Sequence, residues 1–170
     1  MCGGAGAEAY FYFTLTATSD VFLATHQTVG ITFIPAGTTS ISGTILGYTN
    51  DYTDAVTTGC TYTSAREDRV YYFYLPASQS VTFDGCAGVG SRFDEIIYVR
   101  SVCTDAALGN QVVCNDDDAC GGNVFCDSGK FNAGFTATLG PGLYFFFADG
   151  YLTGGSCDTL GNFVYTISGL

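Results

Sequence analysis

Hydrophobic positions recur in short runs along the chain, with turn-forming residues between the runs. In FTATL (135–139), Phe, Ala and Leu share one face and the two threonines share the other, which is the two-residue period of a strand. The runs YFYF (10–13) and YFFF (144–147) are apolar on both faces, as in strands that are covered on both sides. No stretch of the sequence has the 3.6-residue period of a helix. We therefore predict strands at 9–16, 20–26, 30–34, 39–46, 69–75, 80–84, 94–101, 111–115, 134–139, 143–148 and 162–168.

The predicted strands are short, and turn signals such as GPG (140–142) and DG (149–150) separate them. Composition agrees with this pattern, since Phe, Tyr, Val, Thr and Gly are abundant whereas Met occurs once. The longest apolar run, 143–148, is far below the roughly 18 residues that a membrane-spanning helix needs. The sequence thus predicts an all-β protein, built as a sandwich or a barrel and without a membrane span.

An internal repeat divides the chain. Residues 8–25 align without a gap on residues 68–85, at an offset of 60, and each copy has the pattern of an aromatic strand, a polar turn and a second strand. The identical pairs are Tyr12/Tyr72, Phe13/Phe73, Leu15/Leu75, Ala17/Ala77 and Val21/Val81. We interpret residues 1–37 as a truncated β module and residues 38–170 as a complete one. The alternative is that two amphipathic hairpins look alike by chance.

The complete module also carries a series of recognisable motifs. They are GTILGYTNDYT (43–53), DRVYYFYLP (68–76), FDEIIYVRSVC (93–103), QVVCNDDD (111–118), LGPGLYFFFADGY (139–151) and GNFVYTISGL (161–170). In order and spacing they resemble the bacterial pre-peptidase C-terminal domain, in a cysteine-bearing variant found in large secreted proteins. The resemblance implies a jelly-roll-like β-sandwich without catalysis of its own. It also implies that calcium or a polymeric substrate is a possible ligand, because some members of the family bind these.

Charge narrows the range of partners. The chain has 16 acidic and 5 basic residues, for a net charge of −11. Nucleic acids and anionic membrane surfaces are disfavoured as partners, because both require clustered Lys and Arg. Cations are the natural small partners of such a surface, although the charge also serves solubility alone.

Eight cysteines, with no CxxC pair and a single histidine, His26, favour disulfides over a zinc site. Cys103 and Cys114 flank one predicted hairpin loop, and Cys120 and Cys126 close a short Gly-rich loop, so we expect both pairs to be bonded. Cys60 and Cys86 flank the 69–84 hairpin and form a third plausible pair. Cys2 and Cys157 remain, to be bonded within one chain or between chains. Disulfides indicate an extracellular or cell-surface protein, and the start MCGG lacks the features of a signal peptide, so we expect a mature or excised piece.

Acidic residues cluster at the ends of two neighbouring predicted strands. Asp94 and Glu95 begin one strand, and the run NDDD (115–118) ends the next. If the two strands pair as a hairpin, these ends meet, and Ca²⁺ takes six to eight oxygen ligands of this kind. We therefore predict a calcium site formed by Asp94, Asp116, Asp117 and Asp118. The alternative is turn chemistry, in which Asn and Asp side chains satisfy exposed backbone amides.

Catalysis is not predicted. No serine lies in a GxSxG motif, the thiols are used in disulfides, and the Gly-rich stretches lack the Lys-Ser/Thr of a phosphate-binding loop. The run of aspartates at 116–118 is too contiguous to place two acids across a cleft. The sequence therefore describes a binding or assembling protein.

Two functions remain open. One is a structural subunit that assembles into a filament or surface layer through contacts between chains; the other is a calcium-dependent module that binds carbohydrate or another extracellular polymer. The truncated module favours the first, because an isolated hairpin is marginally stable and its edge attracts another strand. The apolar residues that would mediate assembly are Tyr10, Phe11, Phe13, Leu15, Val21, Phe22 and Leu23.

Overall fold

The computed structural model describes residues 31–55, 60, 63–86, 93–103, 109–116, 132–151 and 161–170. These residues form nine strands and no helix, so they include no segment that could cross a membrane as a helix. The strands are β1 (Thr32–Phe33), β2 (Ser40–Thr44), β3 (Arg69–Leu75), β4 (Gln79–Asp84), β5 (Glu95–Arg100), β6 (Gln111–Asn115), β7 (Gly134–Leu139), β8 (Gly142–Gly150) and β9 (Asn162–Ser168). Nine predicted strands are confirmed, and those predicted at 9–16 and 20–26 lie outside the described residues.

The strands form two sheets with a regular topology. The five-stranded sheet has the order β1-β3-β8-β5-β6, and the four-stranded sheet has the order β2-β9-β4-β7. From β2 to β9 the chain behaves as one long hairpin folded over on itself: β2 pairs with β9, β3 with β8, β4 with β7 and β5 with β6, all antiparallel. Rolling such a hairpin into two facing sheets produces a jelly roll. The all-β, jelly-roll-like prediction is confirmed.

The core lies between the sheets and is mainly aromatic. Alternation along β3 turns Tyr71, Phe73 and Leu75 inward, where they are buried. Across the interior, the Phe146 ring stacks on the Phe83 ring with centroids 4.2 Å apart. The buried members of this core are Ile34, Ile45, Tyr71, Phe73, Leu75, Val81, Phe83, Phe93, Ile97, Val99, Ala133, Leu139, Tyr144, Phe146, Ala148, Phe163, Tyr165 and Ile167.

The outer face of the five-stranded sheet is also covered. All six residues of β5 are buried, which one apolar face cannot explain. The described parts of the β2–β3 connection (49–55, 60 and 63–68), which we call the covering segment, lie over this face. A second cluster forms there from Cys60, Val70, Ile96, Tyr98, Cys103, Cys114 and Phe147. The run YFFF (144–147) of β8 is therefore covered on both sides, as predicted, whereas the run YFYF (10–13) lies outside the described residues.

Connection length alternates between the two ends of the sandwich. One end has the connections 45–68, 85–94, 116–133 and 151–161, and the other has 34–39, 76–78, 101–110 and 140–141. We call the first the long-connection end. Since binding residues concentrate in long connections on a rigid scaffold, this end is the natural place for a site.

Residues 31–37, which the sequence analysis assigned to the truncated module, are part of the sandwich. β1 lies parallel to β3, with Thr32 opposite Tyr71. Ile34 is 2% exposed and belongs to the main core. The Gly37 amide, in a turn with positive φ, donates to the Leu170 carbonyl at 2.7 Å. The described end of the N-terminal segment is thus anchored to its own chain, while the division into two modules stays a prediction because residues 1–30 lie outside the described residues.

We expect Ile34→Ala to lower the free energy of unfolding by about 2–5 kcal/mol, because it leaves a cavity in the core between the sheets. Urea denaturation measures the change. Leu143→Ala, at a position that is 40% exposed, is the matched control and should cost well under half as much. Equal losses for the two variants would show that Ile34 is not a core residue.

Candidate functional site

The two predicted calcium ligands that the structure describes lie at the same end of one hairpin. Ile97 is opposite Asn115 in the antiparallel pair of β5 and β6, so the start of β5 meets the end of β6 at the long-connection end. Asp94 directly precedes β5 and Asp116 directly follows β6. Asp94 is half-buried and Asp116 is 5% exposed. Asp117 and Asp118 lie outside the described residues, so the four-residue calcium site stays a prediction.

Glu95, next to Asp94 in the sequence, has a structural role. Its Oε1 accepts a hydrogen bond from the Ala133 amide at 2.8 Å, and its Oε2 accepts one from the Tyr165 hydroxyl at 2.5 Å. A Cβ at Gly85 would lie 2.5 Å from Oε1, so this position requires glycine. Glu95 is fully buried and joins the two sheets, which explains why a carboxylate is tolerated in the interior.

Asparagines tie the same end together. Asn132 donates from Nδ2 to the Gly85 carbonyl at 2.9 Å, and the Asn115 side-chain oxygen accepts from the Gly134 amide at 2.9 Å. These bonds connect the start of the β4–β5 connection to the approach to β7, and β6 to β7. The long-connection end is therefore held by polar side chains close to Asp94 and Asp116.

The disulfide pairing differs from the prediction. Cys60 is bonded to Cys114, with Cα atoms 5.6 Å apart, so the predicted pairs Cys103–Cys114 and Cys60–Cys86 are wrong. Cys114 lies opposite Tyr98, five residues before Cys103, so strand register separates the two hairpin cysteines. Cys86 and Cys103 are also disulfide-bonded, and none of the four described cysteines is free. Cys2, Cys120, Cys126 and Cys157 lie outside the described residues, so Cys120–Cys126 and Cys2–Cys157 stay predictions, of which at most one can hold because Cys86 and Cys103 are bonded to cysteines other than Cys60, Cys114 and each other.

The Cys60–Cys114 bond fastens the covering segment to β6. The two cysteines are 54 positions apart, and a closed loop of this size contributes about 4 kcal/mol in the chain-entropy treatment. Ligand atoms of Asp54, Cys60 and Cys114 all lie within 4.8 Å of one another. Since the two sulfurs are bonded to each other, they are not thiolates, and in this state the group is a structural clamp.

Arg100 holds the covering segment from the sheet side. It is 1% exposed, and its guanidinium donates to the carbonyls of Thr53 and, at 3.3 Å, of Cys103. The charge lies 4.8 Å from the ring centroid of Tyr98 and 4.9 Å from that of Phe147, within cation–π range. Donation to two backbone carbonyls and the ring contacts hold this buried guanidinium without a carboxylate, although its Nε has no hydrogen-bond partner among the described residues.

Gln111 adds a second attachment of the covering segment. Its Nε2 donates to the Ala55 carbonyl at 2.7 Å, and its Oε1 accepts from the Ala55 amide at 2.8 Å. The side chain thereby pairs with one backbone unit in the way that a neighbouring strand would.

A buried carboxylate, Asp149, lies beneath the covering segment. It is fully buried and accepts a hydrogen bond from the Tyr98 hydroxyl at 3.1 Å. Burial raises its pKa well above the usual value, against the effect of hydrogen bonds from Ser64, the Gly150 amide and Tyr98. Burial, followed by the nearby Asp149, also raises the pKa of Tyr98, which favours the protonated hydroxyl as the donor.

Asp68, the last residue of the covering segment, is the second buried carboxylate in this region. One of its oxygens accepts from the amides of Asp51 at 2.7 Å and Tyr52 at 2.9 Å. Burial raises the pKa of Asp68 to about 6, and the two amide hydrogen bonds act in the opposite direction. Asp68, which holds two amides near the start of the covering segment, therefore titrates between pH 5 and 7.

Sequence reasoning missed Arg100, Asp149 and Asp68. The signal that could have found the first two is a charged residue inside a run that is otherwise apolar, EIIYVR for Arg100 and LYFFFAD for Asp149. Asp68 precedes a strand like many surface acids and carries no such signal. His26 and the predicted assembly residues between Tyr10 and Leu23 lie outside the described residues.

Comparisons with known proteins found structural likeness at low sequence identity. The chain is similar to the pre-peptidase C-terminal domain of collagenase from Bacillus anthracis, with 12% identity, a TM-score of 0.47, and coverage of 85% of this chain and 100% of that one. It is also similar to CorA, a surface-associated copper-binding protein important in copper acquisition by Methylomicrobium album BG8, with 11% identity, a TM-score of 0.42, and coverage of 82% and 98%. No family model and no curated protein matches the chain. The resemblance found in the sequence is confirmed to this extent: a pre-peptidase C-terminal domain is among the similar structures. Neither likeness bears on what this chain binds.

We expect the free energy of unfolding to fall as pH rises from about 4 to about 6, and Asp68→Asn to remove part of that fall. The pKa of Asp68 in the folded protein, about 6, exceeds the value of about 3.9 in an unfolded chain, so between these values only the folded state holds the proton. Above the pKa of the folded state, neither the folded nor the unfolded chain holds this proton, so the contribution of Asp68 to the free energy of unfolding no longer changes with pH.

Urea denaturation at half-unit pH steps measures this dependence. Glu67→Gln is the matched control, because it removes one negative charge at the neighbouring residue, whose side chain faces Arg66 and not the amides that Asp68 holds. Identical pH profiles for Asp68→Asn and the unsubstituted protein would contradict the assignment.

Proposed function

We propose that this chain is an extracellular, non-catalytic structural protein whose copies join through the N-terminal segment, residues 1–30, into a filament or surface layer. The observation that carries the proposal is the position of β1. β1 is an edge strand of the five-stranded sheet, and residues 1–30 precede it in the sequence.

The sheet edge at β1 is suited to accepting further strands. β1 has two residues and pairs with Tyr71 and Tyr72, whereas β3 has seven. Within the described residues, β1 is the only strand on that side of β3. A sheet edge with unpaired backbone groups is a template for strand addition from another chain.

Apolar side chains border this edge on the outer face. Phe33 is 39% exposed and its ring lies 5.1 Å from that of Tyr72, while Leu143, 40% exposed, lies opposite Tyr74 in the pair of β3 and β8. Apolar residues of an incoming hairpin, such as Phe11 and Phe13, would gain contacts here. Each large side chain that becomes buried contributes roughly 1.5–3 kcal/mol.

A contact of this kind produces open assemblies. The donor segment and the acceptor edge are different surfaces, so the interface is heterologous and propagates head to tail unless it closes into a ring. Disulfide bonding of all four described cysteines supports an oxidising, extracellular setting for such an assembly.

We expect deletion of residues 1–30 to leave a folded monomer, while the full chain forms polymers that are visible by negative-stain electron microscopy. The deletion ends at residue 30 rather than 37 because Ile34 and β1 belong to the sandwich. Sedimentation velocity measures assembly, and circular dichroism checks folding.

The control for this deletion is the substitution of Phe11 and Phe13 by serine in the full chain, which keeps the length but removes apolar contacts. Weakened assembly of the double variant agrees with the proposal. Polymers of the deletion variant that match those of the full chain would contradict it.

A second candidate function is calcium-dependent binding of an extracellular polysaccharide or other polymer. The observation in its favour is that Asp94 and Asp116 flank paired strand ends at the long-connection end. Carboxylates at neighbouring strand ends are compatible with a calcium site, although the number of ligands in the described part is below the six to eight oxygens that calcium takes.

For this candidate, we expect millimolar Ca²⁺ to raise the melting temperature relative to EDTA. Ca²⁺ at 100 times its dissociation constant adds about 2.7 kcal/mol to the free energy of unfolding. The double variant Asp94→Asn, Asp116→Asn should lose the effect, whereas Asp51→Asn should keep it. Equal melting temperatures in Ca²⁺ and EDTA would leave turn chemistry as the role of these aspartates.

A further inference from the structure

Arg69 stands apart from the other arginines that the structure describes. Arg66 is buried and forms an ion pair with Glu67, with Nε and Oε2 3.8 Å apart, and Arg100 is buried against backbone carbonyls. Arg69 is half-buried, and no ion pair in the described part of the chain includes it. Among the described residues, this partly accessible guanidinium therefore has no carboxylate within ion-pair distance.

The position of Arg69 opens to the side of the sandwich. It is the first residue of β3, ahead of the two positions that β1 covers, so among the described strands β3 is outermost at this point. Its Nη1 lies against the bare Cα of Gly43 on β2, the outermost strand of the other sheet, where a Cβ would clash. Arg69 therefore lies at the mouth between the two sheets, near the long-connection end.

The surroundings of Arg69 supply aromatic rings and a hydroxyl. The guanidinium carbon lies 5.4 Å from the ring centroid of Tyr48 and 5.1 Å from that of Tyr71. The Tyr71 hydroxyl lies 3.0 Å from where a Gly43 Cβ would be, so it approaches the same spot as Arg69 Nη1. Two rings and a fork of N–H groups thus surround one small region.

Two hydrogen-bond donors in this region have no acceptor in the part of the chain that the structure describes. Arg69 Nε and the Tyr71 hydroxyl are buried and lack a hydrogen-bond partner, and Tyr71 is 2% exposed. Burial raises the pKa of Tyr71 to about 12, so the hydroxyl remains a donor at neutral pH. The ligand that satisfies a guanidinium fork and a neighbouring hydroxyl together is an anion with two or more oxygens, and a planar carboxylate matches the fork.

We propose that Arg69, Tyr71 and Tyr48 form a carboxylate-binding site that receives an acidic side chain from a second copy of the chain. The choice of occupant rests on the proposed self-assembly and on charge. Copies that each carry −11 repel one another, and a contact between them requires a cation where their surfaces meet. Arg69 is the described guanidinium that is accessible for this role.

The test is the concentration at half-assembly of the full chain, measured by sedimentation velocity. Arg69→Met keeps the length of the side chain and removes the fork, and should raise this concentration at least about tenfold, as expected when one partner of a charge pair is removed. Arg69→Lys should restore only part of the loss, because a lysine lacks the planar fork. Assembly of Arg69→Met at the concentration of the unsubstituted protein would overturn the proposal.

Tyr71→Phe separates binding from folding. It removes an unpartnered buried hydroxyl, so monomer stability in urea should stay the same or rise, while assembly weakens. Tyr144→Phe is the matched control and should assemble normally, because it removes the hydroxyl that donates to the Gly140 carbonyl at 3.1 Å, at the opposite end of the sandwich. A loss of stability and of assembly in parallel for Tyr71→Phe would mean a structural role and would overturn the proposal.

Sodium glutarate is the free carboxylate probe. At equal ionic strength it should weaken assembly more than sodium chloride does.

If deletion of residues 1–30 stops assembly but Arg69→Met does not, the proposed function stands and this site fails. If the full chain never assembles, the proposed function fails. In that case the carboxylate-binding site is tested by titrating the full chain with glutarate and following the NMR signal of the Arg69 Nε–H. A saturable shift, absent in Arg69→Met, supports carboxylate binding, and no shift overturns it. A shift with polygalacturonate, combined with normal assembly of Arg69→Met, would overturn the second copy as occupant.

Discussion

Coverage of both faces of the five-stranded sheet is the constraint on which the rest of this structure depends. β5 and β8 carry apolar side chains on both sides, and the stacked pairs Phe146–Phe83 inside and Tyr98–Phe147 outside show that each face has its own packing. The four-stranded sheet covers one face. The other needs a cover from a connection that has no regular strand of its own, because exposure of these rings would forfeit roughly 1.5–3 kcal/mol each.

The covering segment has no strand, so its backbone amides and carbonyls need hydrogen-bond partners other than a neighbouring strand. This need explains the buried polar side chains in this region. Arg100, Gln111 and Asp68 each bind backbone groups of the covering segment, and the Cys60–Cys114 disulfide fixes its far part to β6. Buried polar groups are tolerated where every bond they make replaces one to water. The same arrangement makes the cover sensitive to pH, because a carboxylate whose pKa is about 6 holds two of its amides.

The proposed assembly uses the parts of the fold that this covering leaves open. Interior packing occupies the middle of the sheets, and the proposals place partners at the edge at β1, at the mouth between the sheets at Arg69, and at the long-connection end with Asp94 and Asp116. These three places differ in chemistry: backbone groups, a guanidinium and carboxylates. A strongly acidic chain that joins to itself needs the guanidinium to offset the charge of the carboxylates.

The sequence alone determined the positions of the described strands, the all-β class, the use of cysteines in disulfides and the meeting of the acidic strand ends. Each follows from local patterns: a two-residue period, turn residues, composition and the geometry of one hairpin. The jelly-roll expectation came from the motifs and their order. Only the tertiary structure decided that Cys60 bonds to Cys114, that Glu95 joins the sheets, and that Ile34 belongs to the core. These facts depend on which distant strands become neighbours and which face each residue turns to, and spacing along the chain does not contain that information.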